Sequence, residues 1–200
     1  LYSSTATISV LARKSRKASE QEATDYVAAM LLAVSMMFLR FMILILIFSR
    51  EIFLSIYPYL LTMAVVAAIV AWFIHSRQKR PEGQSAETEE DDSSNPLEFK
   101  VALIFAILFV IFTFLTHYTL VYAGTGGLNL LSFVSGFSDI TPFILNLLQN
   151  TGSVAALIIT ACSMQAIISN IMVNMFYALF FAGKGSKLRP WILGGFGVVI

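Results

Sequence analysis

The sequence predicts an all-α fold, a polytopic bundle of transmembrane helices, and three observations support this prediction. The chain is 58% hydrophobic and only 12% charged, whereas soluble domains average roughly 45–50% apolar and about 25% charged residues. Its mean hydropathy is +0.79. Several apolar runs reach the about 20 residues that a helix needs to cross a bilayer. A soluble domain is therefore excluded, and we expect the lipid bilayer to be the main partner.

The first helical half is expected at residues 1–76 and contains a motif helix followed by two spans. The motif begins at Leu1, is rich in hydroxyl groups and runs into basic residues that indicate a loop. Val27–Phe48 is an apolar span that carries Arg40, the one basic residue within a span. The second span, Tyr57–Ile74, has aromatic residues near both ends, as is typical of membrane interfaces.

A charged linker is expected at residues 77–98. A basic cluster that ends at Arg80 leads into six acids between Glu82 and Asp92, and no apolar residue in that run is larger than alanine. Segments of this composition cannot bury a core. We interpret the linker as a solvated, solubilising tether on the cytoplasmic side.

The second helical half, residues 99–200, is expected to contain four apolar segments. They are Val101–Tyr122, the interrupted segment Leu130–Leu148, Val154–Ala182, and a last one that begins at Trp191. The last segment has only ten residues before the chain closes. We therefore expect it to be truncated, and the chain to be part of a longer protein.

Basic loops mark the cytoplasmic face of a membrane protein, and two of them enclose the first two spans. A third basic group includes Lys184 and Arg189. The side of the membrane on which it lies depends on whether the interrupted segment crosses. If that segment crosses the membrane, the group lies outside; if it is re-entrant, the group lies inside. Nineteen residues suffice for a crossing, so we expect a full crossing while the re-entrant alternative stays open.

The interrupted segment is the candidate functional site. Between Ser132 and Pro142 an apolar run is broken by Gly136, by hydroxyl groups and by Asp139, the only acid inside an apolar segment. Such a break persists in hydrocarbon only where protein, water or a ligand satisfies the freed backbone groups. An ionisable residue at this depth is a functional-site hypothesis by default.

Asp139 and Arg40 are the strongest candidate site residues, because an unpaired charge in hydrocarbon costs several kcal/mol. We expect them to pair with each other or to line a wet cavity. The competing interpretation is structural: Asp139 caps the helix after the break, and Arg40 reaches an interface. The candidate ion or solute pathway comprises Asp139, Ser138, Thr141, Ser135, Arg40, Ser3, Ser4, Thr5, Asn170 and Asn174. The two asparagines are equally compatible with hydrogen bonds between helices.

Other classes of chemistry lack their motifs. The sequence has no zinc-type Cys/His spacing, no nucleophile elbow and no phosphate loop. We therefore expect no enzyme, no metal and no cofactor. A net charge of +1 gives no reason to expect nucleic acid.

A weak internal similarity relates the two polar motifs. Leu1–Leu11 aligns without gaps on Phe137–Leu147, pairing Ser3 with Asp139 and Thr5 with Thr141. Each copy precedes a small turn and a long span. With a full crossing between them, the copies would form two parallel repeats with interrupted helices, and transporter sites often lie where such helices meet.

The motif at residues 1–7, Leu-Tyr-Ser-Ser-Thr-Ala-Thr, and the motif at residues 135–141, Ser-Gly-Phe-Ser-Asp-Ile-Thr, carry a family resemblance. The chain resembles the C-terminal membrane domain of unknown function that follows an MgtC/SapB-type domain in MgtC/SapB family proteins. Thr141 stands where a second acid often occurs in that pattern. The resemblance implies a prokaryotic inner-membrane protein with an upstream membrane domain, and it implies no established activity for these residues.

The sequence thus leaves two functions open. The first is transport or sensing of a small ion or solute through a polar site in the middle of the membrane. The second is a non-transporting scaffold or regulator that binds a membrane partner, with a homo-oligomer among the options.

Overall fold

The computed structural model describes residues 4–15, 20–76, 96–150, 154–182 and 189–200. Within these ranges the fold is entirely helical. Its eight helices are α1 (Ser4–Ser15), α2 (Glu20–Phe48), α3 (Arg50–Ser76), α4 (Pro96–Tyr122), α5 (Gly124–Ser135), α6 (Ile140–Gln149), α7 (Ala156–Ala182) and α8 (Arg189–Val199). Of the charged linker predicted at 77–98, residues 77–95 lie outside the described residues.

The helices fall into two length classes. Helices α2, α3, α4 and α7 contain apolar stretches of 20 to 27 residues, long enough to cross a membrane. Helices α1, α5, α6 and α8 have only 10 to 12 residues, about 15–18 Å, or half of a crossing. The predicted helical membrane bundle is confirmed, and the protein is a membrane protein.

Helices α2 and α3 form an antiparallel hairpin. The carboxylate of Asp25, near the start of α2, lies 3.1 Å from the ring of His75, near the end of α3. At mid-length Ser35 donates to the carbonyl of Ala64 at 3.0 Å. Side chains that recur every three or four residues on α3 are buried: Ile52, Ile56, Leu60, Ala64, Ala67, Ala71 and Ile74.

A tight turn reverses the chain between α4 and α5. Gly124 has a φ of +57°, which favours glycine. Gly127 lies so close to Thr119 of α4 that a Cβ atom there would come within 2.6 Å of its methyl carbon. Helix α5 therefore runs back along α4.

Helix α5 runs in the same direction as α7. Near the beginning of both helices the thiol of Cys162 donates to the side-chain oxygen of Asn129 at 3.4 Å. Further along both, the hydroxyl of Ser169 donates to the carbonyl of Phe133 at 2.7 Å. Ser169 is the central residue of α7, so α5 ends about halfway across the membrane.

Helix α6 then returns to the face from which α5 started. The ring of Phe143 lies 5.5 Å from that of Phe112 on α4, and the side-chain amide of Asn146 donates to Thr113 at 2.8 Å. The amide of Val154, just before α7, donates to the carbonyl of Asn150, just after α6, at 3.1 Å. The end of α6 thus adjoins the beginning of α7.

The interrupted segment is therefore a re-entrant hairpin of two half-length helices, and the expected full crossing is corrected. Its physical basis is the shared direction of α5 and α7, which begin on the same face. Because a short connection joins the end of α6 to the beginning of α7, α6 must return to that face. Helix α7 ends on the face where α1 ends, because the guanidinium of Arg13, near the end of α1, lies 4.5 Å from the ring of Phe181, near the end of α7. The helix ends flanking residues 16–19, 77–95 and 183–188 all lie on this face, as positive-inside topology requires.

Two triplets of helices repeat with opposite direction. Ile140, which begins α6, follows Ser4, which begins α1, by 136 positions, and Ala156 follows Glu20 by the same number. In each triplet a half-length helix leads into a span and then a further helix. Helix α1 ends on the face where α7 ends, whereas α6 ends on the face where α7 begins. The copies thus form an inverted repeat and not the parallel one that a full crossing required.

Candidate functional site

The break between α5 and α6 is a short polar turn in the middle of the bundle. Helix α5 ends in two tight backbone hydrogen bonds, from Phe137 to the carbonyl of Val134 and from Ser138 to that of Ser135, each 3.1 Å long. Such i→i+3 bonds tighten a last helical turn. Carbonyl groups at this end have no further turn to bond with, so they need partners from elsewhere.

Helix α7 supplies those partners. The side-chain amide of Asn170 donates to the carbonyls of Gly136 at 3.0 Å and Ser138 at 3.4 Å. The neighbouring Ser169 donates to the carbonyl of Phe133. This contact requires Gly136, because a Cβ atom there would collide with the Ser169 side chain and lie 2.8 Å from the Asn170 nitrogen. The α7 side of the break is therefore closed by protein.

A second asparagine extends this polar contact along α7. The amide of Asn174 donates to the side-chain oxygen of Asn170 at 3.2 Å. Asn174 is fully buried, and its own oxygen has no hydrogen-bond partner among the described residues. A buried acceptor without a partner is costly, so this oxygen is available to a donor.

Asp139 begins α6 as its N-cap. Its backbone is extended, with φ −75° and ψ 114°, and its carboxylate accepts a hydrogen bond from the amide of Thr141 at 3.0 Å. Pro142, inside the first turn, lacks an N–H group and so needs no partner there. Asp139 itself is only half-buried. It has the capping role that the structural interpretation of the sequence gave it.

Arg40 of α2 reaches the same turn from the opposite side. Its Nη2 atom donates to the hydroxyl of Thr141 at 2.9 Å, and its guanidinium lies 5.2 Å from the ring of Phe41. Its Nε atom is buried and has no hydrogen-bond partner among the described residues. Arg40 thus lies at the depth of the break and not at an interface.

The two charges do not form an ion pair. In the described part of the chain an ion pair joins Asp25 and His75, whereas none joins Arg40 and Asp139. Thr141 connects them instead, because its amide donates to Asp139 while its hydroxyl accepts from Arg40. Two ionisable groups therefore share one threonine at mid-membrane depth, each partly exposed.

The remaining predicted site residues divide into two groups. Ser135 is buried and Ser138 exposed, and each donates to a carbonyl three residues earlier, at 2.7 and 3.1 Å. Ser3 lies outside the described residues, and of Ser4 and Thr5 only the helical backbone is described.

Helix α1 nevertheless begins near this depth. From Arg13, which contacts Phe181, Thr5 lies eight residues back along α1, about 12 Å. From Phe181, Asn174 lies seven residues back along α7, about 10.5 Å. The two helices run side by side in the same direction, so the start of α1 is level with the asparagines.

Sequence reasoning missed three contributors. Ser169 adjoins Asn170, but only the two asparagines of this helix were selected from the sequence. Gly136 was noted as a helix breaker, not as a point of close approach. The pair formed by Asn146 and Thr113 joins α6 to α4, and only the polarity of each residue within an apolar run could have indicated it.

The arrangement favours solute contact over metal or acid–base chemistry. Within the described ranges no group of three or more His, Cys, Asp or Glu residues could hold a metal ion. What the break does offer is a turn sealed by α7 on one side. On the α2 side it carries a cation with spare donors and a half-buried carboxylate.

Comparison with known proteins gives a family without an assigned activity. A protein-family model described as "Domain of unknown function (DUF4010)" matches residues 1–182. A protein of Aquifex aeolicus (strain VF5), described as "Uncharacterized protein", is 25% identical over 191 residues, which cover 93% of this chain and 80% of that protein. No solved structure matches the chain.

Proposed function

The chain belongs to the family of domains of unknown function DUF4010, and from that premise we propose that it transports or senses a small ion or solute at the break between α5 and α6. One observation carries the proposal. Arg40 and Asp139 lie at mid-membrane depth on facing elements, remain partly exposed and do not neutralise each other. Charges are retained in the membrane interior where they serve a pathway, a relay or a ligand.

The inverted repeat supports this proposal. Many secondary transporters place their solute near the bilayer midplane, where discontinuous helices from two inverted repeats meet. Here the discontinuous helices are α1 and α6, and both begin near the depth of Asn170 and Asn174. The function is accordingly a binding one, without catalysis.

A scaffold that binds a membrane partner is the second candidate. It is favoured by the closed α7 side of the break, where Ser169 and Asn170 satisfy the freed carbonyls. A purely structural break would be sealed in this way on every side. The α2 side decides between the two functions, because only a solute site needs access to water there.

The cellular setting extends the proposal. The resemblance to the C-terminal membrane domain of MgtC/SapB family proteins supports a prokaryotic inner-membrane location. It also supports an upstream membrane domain of the same protein as a partner. We place the face of the basic helix ends in the cytoplasm.

Thiol accessibility tests the proposal. The full protein is prepared with Cys162 replaced by alanine, and Ser138→Cys is introduced as a reporter on the exposed side of the break. In proteoliposomes we expect a membrane-impermeant maleimide to label this thiol from at least one side. Ser138 is suitable because its hydroxyl bonds only within its own turn.

The matched control is Ile111→Cys on α4. Ile111 is 45% exposed and adjoins Phe112, which is level with α6. It therefore reports thiol labelling on an outward-facing apolar surface that is level with the first turn of α6, just after the break. If Ser138→Cys labels no faster than Ile111→Cys, the break is dry and the scaffold function is preferred.

A further inference from the structure

Arg40 carries more hydrogen-bonding capacity than its surroundings use. A guanidinium has five N–H donors in a fixed planar fork. One of its nitrogens donates to Thr141, and the buried Nε atom has no partner among the described residues. The ring of Phe41 contacts the guanidinium but accepts no conventional hydrogen bond.

No carboxylate of the described side chains neutralises this guanidinium. Asp139 directs a carboxylate oxygen to the amide of Thr141, Asp25 pairs with His75 at a helix end, and Glu51 is exposed in the first turn of α3. Arg40 therefore has no direct carboxylate partner among the described side chains, and its charge is held within an apolar bundle where water screens poorly.

The beginning of α6 does not account for this unsatisfied capacity. An open helix N-terminus attracts anions through its free amides. In α6 the amide of Thr141 is occupied by Asp139, and Pro142 has no amide hydrogen. Two of the first positions of α6 thus offer no amide to an anion, which leaves the Arg40 side chain as the main donor at the break.

We propose that Arg40 binds an anionic oxygen group, of the carboxylate, sulfate or phosphate class, on the solute that occupies the break. The planar fork of a guanidinium matches two oxygens of such a group at once, which a lysine ammonium cannot do. The hydroxyl of Thr141 accepts from Nη2 only, so the other N–H groups of the fork, including that of the buried Nε atom, remain for the ligand. This inference rests on the proposed solute site and adds the chemical class of its ligand.

The test measures binding by the full protein in nanodiscs. Thermal unfolding is followed with sodium sulfate, sodium phosphate or sodium acetate, each against sodium chloride at equal ionic strength. A ligand that binds only the folded state raises the free energy of unfolding by RT ln(1 + L/Kd), where L is the free ligand concentration, so the unfolding temperature rises with the logarithm of ligand concentration above the Kd. We expect at least one oxyanion to stabilise the wild-type protein with this concentration dependence.

Two variants at position 40 and one control test whether the oxyanion binds to Arg40. Arg40→Gln keeps a polar side chain but removes the charge and the guanidinium fork, and we expect the apparent Kd for the oxyanion to rise at least tenfold. Arg40→Lys keeps the charge but loses the fork, so we expect an intermediate affinity. The control is Arg50→Gln, a change of the same type at an exposed position that begins α3, and it should bind as the wild type does.

Two outcomes overturn the inference. One is that no oxyanion stabilises the wild-type protein more than chloride does; the other is that Arg40→Gln, itself folded, binds the oxyanion as tightly as Arg50→Gln. The labelling of Ser138→Cys separates this failure from that of the proposed function. A break that is open to water without oxyanion binding leaves the solute site and rejects the ligand class, whereas a dry break rejects both.

Discussion

Gly136 shows how a single missing side chain permits the whole site. Its carbonyl accepts the amide of Asn170 only because the backbone of α5 approaches α7 without a Cβ atom between them. The same approach brings Ser169 within reach of Phe133. Close packing of this kind replaces the hydrogen bonds that a continuous helix would have made.

Gly136→Ala should therefore destabilise the protein. The added methyl group overlaps Ser169, and overpacking of this type typically costs about 1–3 kcal/mol, which outweighs a gain in helix propensity of at most about 1 kcal/mol. The measurement is the free energy of unfolding in detergent.

Gly126→Ala is the matched control. It also lies in α5, and a Cβ atom there would meet nothing within 4 Å, so the change should be neutral or mildly stabilising. Equal effects of the two substitutions would show that the close approach to α7 contributes nothing.

At the scale of residues, the sequence predicted which residues belong to the site better than it predicted the contacts between them. Asp139 and Arg40 could be selected because a charge inside an apolar run is visible in the sequence itself. Their connection through Thr141 could not, since hydrogen-bond partners 101 positions apart along the chain depend on how the helices pack.

The re-entrant hairpin is the main lesson at the scale of elements. Hydropathy identifies how many residues are apolar, but it does not state whether 19 of them continue forward or fold back. The length permitted a full crossing, but the shared direction of α5 and α7, together with the short connection from α6 to α7, excludes it. The misplaced basic group around Lys184 and Arg189 was the signal that pointed to the re-entrant alternative.

Labelling from the two sides of the membrane checks this hairpin. In the Cys162→Ala background, Thr125→Cys and Gln149→Cys are both exposed and mark the two ends of the α5–α6 segment. We expect an impermeant maleimide to reach both from one side, together with Arg50→Cys at the beginning of α3. A full crossing would place Gln149→Cys on the side opposite to Thr125→Cys.

The two triplets define the molecule as a whole. Helix α1 packs against α2 and α7, while α6 packs against α7 and α2, so the first helix of each triplet contacts the long span of both triplets. The alignment of Leu1–Leu11 on Phe137–Leu147 has the same offset of 136 positions as the beginnings of α1 and α6. The sequence could not give their relative direction, because that direction follows from the number of crossings between them.

Opposite orientation of the triplets is directly testable. Arg13→Cys near the end of α1 and Gln149→Cys at the end of α6 occupy corresponding places in the two copies. With Cys162 absent, we expect the reagent to label them from opposite sides of the membrane. Labelling from the same side would restore a parallel repeat and remove the structural support for a transporter-like site.

The order of synthesis gives the α5–α6 hairpin a further consequence. The ribosome delivers Gly136 and Ser138 more than thirty residues before Asn170, whose amide holds their carbonyls. Peptide groups without hydrogen bonds are costly in hydrocarbon. The newly made hairpin should therefore stay at the headgroup layer until α7 has been inserted. We therefore expect the α5–α6 hairpin to reach its final depth only after α7, which follows it in the chain, has entered the membrane.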